Sequence, residues 1–91
     1  MIVNICSVPH VVLEKEDTFD VLAKSFGMID YTKAEISINK NMPNALKQET
    51  LCHEMLHGML VHIGRQDLSE DETFVQALGN AIYQGFNIKE V

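Results

Sequence analysis

The stretch "TLCHEMLHGMLVH", residues 50–62, decides how this chain is read. It is largely apolar, yet it carries His53, His57, His62 and Glu54. As a helix over 45–63, it lays Leu51, Cys52, Met55, Leu56, Met59, Leu60 and Ile63 on a wide apolar arc. A helix apolar on most sides is a central, buried one. Polar side chains there cost desolvation unless something satisfies them. His53 and His57 are four apart, so they share one face, about 40° apart around the axis. They can point two imidazoles at a single ion, as zinc requires. Glu54 is turned about 100° from His53 and reaches the rim of the same site. A carboxylate there can activate a metal-bound water, whose pKa zinc lowers to around 7. That is the mechanical content of the pattern H-E-x-x-H, and the buried-helix context supports it.

Other residues of the stretch are excluded by phase. His62 is half a turn out of register with His53 and about 140° from His57. Nor does it extend the motif to H-E-x-x-H-x-x-G-x-x-H, because Leu60 and Ile63 hold the last two fixed positions. It reads as a partly exposed structural histidine. Cys52 diverges by about 100° from His53 and reads as a non-ligand.

The third ligand is therefore expected from the next helix. Gly64 is a natural stop. Ser69 reads as the next N-cap, with Glu72 completing a capping box. Val75, Leu78, Ile82 and Phe86 form the inward stripe. Asp71 lies near the centre of that stripe, Glu72 about 70–80° off, and Glu70 opposite. Geometry favours Asp71. Reach favours Glu72, which shares a line with Gln76, Gly79 and Tyr83. Spacing alone leaves the two even.

Upstream, residues 8–14 read as a strand. Residues 17–25 read as a short helix, with Phe19, Leu22 and Phe26 at helical spacing. Residues 27–40 read as a hairpin, and "NKNMPNA" as a loop. Strands first and helices after suggest one α+β domain over 1–91. In it a small, mostly antiparallel sheet packs on the central H-E-x-x-H helix and a C-terminal helix. With 91 residues there is room for a single domain. A net charge of −6 argues against a nucleic-acid binder. There is no run long enough for a membrane span and no secretory leader, so a cytoplasmic protein with reduced Cys6 and Cys52 is expected.

The run "GMIDYTKAEISINKNMPNALKQETLCHEMLHGML", followed by "EDETFVQALGNAIYQ", resembles the small ImmA/IrrE-type metallopeptidases. These are gluzincins, often carried by phages, prophages and mobile elements. The likeness spans residues 27–86. Its most specific parts are T-L-x-H-E-x-x-H-G and the downstream E-x-F-V-x-x-L. It implies a zincin-like fold, with His53, His57 and Glu72 as zinc ligands and Glu54 as general base. It implies hydrolysis of a peptide bond in another protein, with a repressor-type regulator as precedent. It also implies that the strand at 34–39 cradles an extended substrate along its edge.

Departures from the pattern matter. There is no room for the extra regulatory domain of larger members. Gln76 stands where many gluzincins place an acidic residue that supports a ligand histidine. The oxyanion partner is open among Tyr31, Tyr83 and His62. The competing expectation is a zinc-stabilised regulatory or binding module with little or no turnover. Oligomeric state is not legible.

Overall fold

The computed structural model describes residues 1–16 and 26–86. The helix expected at 17–25 lies outside the described residues. In chain order the elements are strands β1 (Ile2–Ile5), β2 (Val8–Lys15), β3 (Gly27–Asp30) and β4 (Glu35–Asn39). Helices α1 (Asn44–His62), α2 (Gln66–Ser69) and α3 (Glu72–Phe86) follow. This is a compact α+β arrangement.

The sheet is mixed, in the order β1-β2-β4-β3. Its outer pairs, β1–β2 and β3–β4, are antiparallel, as expected, but the central pair β2–β4 is parallel. β1 was not anticipated, because its turn lacks the usual residues. Cys6 and Ser7 take φ of 50° and 69°, the left-handed conformation of a tight hairpin normally given to Asn and Gly. The hairpin at 27–40 forms as read. Asp30 Oδ1 accepts from the Thr32 and Lys33 amides to close its loop.

The position of β4 overturns one expectation. The strand at 34–39 has no edge to offer a substrate, because β2 and β3 flank it. Its three central residues, Ile36, Ser37 and Ile38, are all buried. β3 is the outer strand on that side, and it too packs against α1.

α1 sits between two apolar clusters. Leu51, Met55 and Met59 pack against Ile5, Ile36 and Ile38 of the sheet. Leu56 and Leu60 pack against Val75, Phe74, Leu78 and Ile82, the face of α3 expected from its stripe. Ile63 is the exception on the arc and is 64 % exposed. Gly58 lets the sheet close on the helix. A Cβ there would lie 2.9 Å from Ile5 Cδ1 and 3.1 Å from Ile29 Cδ1. α1 ends at Gly64, with φ +81°. The Arg65 amide donates to the Leu60 carbonyl and the Gly64 amide to that of Val61, the paired bonds of a Schellman cap.

The chain then turns through α2. Ser69 closes this short helix instead of opening the next one. The N-cap of α3 is Asp71, whose Oδ1 accepts from the Phe74 amide at 3.0 Å. Ser69 is buried and its hydroxyl is engaged elsewhere. Among the described residues, no helix is long and apolar enough to cross a membrane.

Candidate metal centre

α1 and α3 pack antiparallel along the line Glu72–Gln76–Gly79–Tyr83. Tyr83 donates to Gln48, Gln76 donates to Glu49, and the Cys52 thiol donates to the Gly79 carbonyl. Gly79 lies on this seam, where a Cβ would stand in ordinary contact with Leu56, 3.5 Å from its Cδ1. The same line brings Glu72, in the first turn of α3, over His53 and His57.

The three side chains converge. His57 Nε2 lies 3.1 Å from His53 Nε2 and 3.0 Å from Glu72 Oε1, and His53 Nε2 lies 3.2 Å from Glu72 Oε2. Together they form a group that could hold a metal ion. Ligands at roughly 2.0–2.2 Å from a tetrahedral zinc stand about 3.3–3.5 Å apart, so the set needs to open by only a few tenths of an ångström. Two imidazoles and one carboxylate are also the donor set of catalytic zinc sites that keep an open position.

The Ser69 hydroxyl lies 3.3 Å from the His57 carbonyl, to which it donates, and 3.1 Å from His57 Nδ1. With the ring proton on Nδ1, where Ser69 can accept it, the Nε2 lone pair faces the Glu72 carboxylate, which is the tautomer a bound cation requires. Burial keeps the His57 ring below its ordinary pKa, and the neighbouring His53 ring pushes the same way. Glu72 and Ser69 oppose the shift without reversing it. The ring is thus neutral at pH 7, as a ligand must be.

His53 is less well supported. Its Nδ1 is buried with no hydrogen-bond partner. Gln76, at the position of the expected supporting residue, instead donates to Glu49 and to Asn80.

Glu54 is 7 % exposed and opens onto the cleft that holds the histidines. Its carboxylate has no hydrogen-bond partner among the described residues. Burial pushes its pKa up to about 7, and the Glu72 charge pushes in the same direction. The cleft, of about 780 Å³, runs between β3 and α1, with Phe26, Met28, Ile29 and Tyr31 on one side and Leu46, Glu49 and Thr50 on the other. Gly27 lies tight against the helix, where a Cβ would stand 2.7 Å from the Thr50 methyl.

Of the oxyanion candidates, only Tyr31 lines the cleft. Tyr83 is bonded to Gln48, and the His62 ring stands edge-on to buried His10, centroids 6.2 Å apart. Cys52 takes no part: burial raises its thiol pKa and Glu49 adds to the rise. Asp71 is occupied as a cap. Sequence reasoning missed Ser69, whose role depends on how α2 folds back and has no signal in spacing. It also missed Glu49, which the periodicity could have flagged, since Glu49, His53 and His57 form one polar line on an otherwise apolar helix. Comparison with protein-family models, with curated proteins and with solved structures finds no match for this chain.

Proposed function

We propose that this chain is a zinc-dependent peptidase of the ImmA/IrrE gluzincin type, acting on a protein or peptide in the cytoplasm. One observation carries the reading. Two histidines one helical turn apart and a glutamate from a second helix meet within 3.0–3.2 Å, beside a buried, unpartnered glutamate in the same cleft. His53, His57 and Glu72 hold the ion. Zinc bound there supplies Lewis-acid polarisation of the scissile carbonyl and a lowered pKa for water. Glu54 takes the proton of the attacking water on its carboxylate and passes it to the departing amine. The apolar surroundings that raise its pKa suit it to hold that proton between the two events. An extended substrate laid along Met28–Asp30 of the outer strand lies between β3 and the zinc ligands, held by main-chain hydrogen bonds. A repressor-type regulator fits the family precedent.

The unsupported Nδ1 of His53 favours one other reading, a zinc-stabilised binding module with weak or no turnover. Glu54→Gln separates the two. The peptidase reading expects zinc to stay bound while cleavage falls by about 10²–10⁴-fold. Cleavage that survives the substitution removes Glu54 from the mechanism. Absence of cleavage by the intact chain on every peptide offered leaves the binding module.

A further inference from the structure

Several carboxylates away from the cleft are matched to cations: Glu14 to Lys47, Glu16 to Lys40, Glu35 to Lys15 and Asp67 to Arg65. The cleft holds Glu49, Glu54 and Glu72, and no Lys or Arg among the described residues lines it. Glu72 is engaged by the histidines, and Glu54 is the buried carboxylate aimed into the cavity without a partner. Glu49 accepts one hydrogen bond, from the Gln76 amide at 3.3 Å, and forms no ion pair among the described residues. It lies one turn of α1 before His53, about 6 Å along the axis. Phe26, 44 % exposed, and half-buried Leu46 line the same cleft.

We propose that Glu49 is a specificity residue that selects a substrate with an arginine or lysine close to the scissile bond. The proposal rests on the peptidase reading and names its substrate class. A long basic side chain suits this subsite. Its aliphatic stem lies on the apolar wall while its charged head reaches the carboxylate. The position along the peptide follows from the direction of β3. Gly27 stands against Thr50 and Glu54, and Ile29 against Gly58, so β3 runs in the same direction as α1. A peptide pairing antiparallel to β3 runs back toward Thr50. Glu49 then faces a residue on the carboxyl side of the scissile bond. The amide donated by Gln76 orients the carboxylate without neutralising it.

The test uses full-length Glu54→Gln protein loaded with zinc and fluorescein-labelled decapeptides from a positional-scanning library. Peptides are compared in pairs that differ at one position, Arg against Glu, and binding is read by fluorescence anisotropy. At a position on the carboxyl side the Arg peptide is expected to bind about tenfold more tightly. Adding Glu49→Gln brings the ratio to near unity, Glu49→Lys inverts it, and Glu49→Asp preserves its sign. The proposal is overturned if the ratio is near unity at every position with Glu49 intact, if it survives Glu49→Gln, or if no peptide binds. Failure of the peptidase reading looks different: charge-selective binding persists while the Glu54-intact protein cleaves nothing. Cleavage that ignores charge sinks the Glu49 role alone.

Discussion

In the metal-free chain, burial and the Glu72 charge hold the Glu54 carboxyl up at about 7, against an ordinary 4.5. A carboxyl raised by folding contributes stability while it is protonated. That contribution is full below its unfolded pKa and is lost as pH rises through the folded value. Metal-free protein is therefore expected to gain stability on Glu54→Gln at pH 8 and little at pH 5. The difference between variant and parent should grow by about 2 kcal/mol across that window, the full shift being an upper bound. Urea unfolding at both pH values checks it, and a constant difference would refute it. Comparing variant with parent also cancels His57, whose lowered pKa acts in the opposite sense, removing stability on the acid side. The placement of His53, Glu54 and His57 around one cleft was legible because helical phase fixes their mutual directions. The hydrogen bonds around the ligands were not. Ser69 meets His57 only because the chain folds back after Gly64, and Gln76 spends its amide on Glu49 and Asn80.

Asp71 and Glu72, adjacent in sequence, do separate jobs at the start of α3. Asp71→Ala removes the cap and is expected to cost about 1 kcal/mol while zinc stoichiometry stays at one. Glu72→Ala leaves the cap and removes a ligand, so zinc is expected to be lost at little cost to the metal-free fold. Elemental analysis alongside thermal unfolding separates them, and zinc lost from the Asp71 variant instead would reinstate the rival ligand. Gly58 matters at the interface of sheet and helix. Gly58→Ala adds helix propensity worth up to about 1 kcal/mol but forces Ile5 and Ile29 apart. The net expectation is a loss of about 1–2 kcal/mol, seen as a lower urea midpoint with an unchanged slope. α1 and α3 were readable to within a residue or two because their apolar period is local, whereas the four-residue α2 was not expected. The choice of β3 over β4 as the cleft wall was not. Both read as short β-like runs, and only the pairing of β2 with β4 decides which one is outermost.

Across the molecule, the candidate ligands bridge α1 and α3, which the apolar cluster of Leu56, Leu60 and Val75 already joins. His53 and His57 belong to α1, which rests on the sheet, whereas Glu72 arrives with the second cluster around Val75. Metal binding therefore adds a clamp between them. At zinc concentrations about a thousandfold above the dissociation constant, the folded state should gain about 4 kcal/mol, and chelation should remove it. Amide exchange in the first turn of α3 should rise most on chelation. The parallel joint at the centre of the sheet was illegible, because nothing local marks a pairing such as Val11 with Glu35. That joint also bears on how the chain finds its structure. Closing it requires residues 24 positions apart to meet (35 minus 11), with an entropic cost to match. The ligands need only α1 to meet α3 across the turn through α2. Their contacts are the more local ones, and local contacts form early. If the site binds a metal, as proposed, the ion would be captured while the sheet is still open, and it would take part in the folding route as well as stabilise the end point.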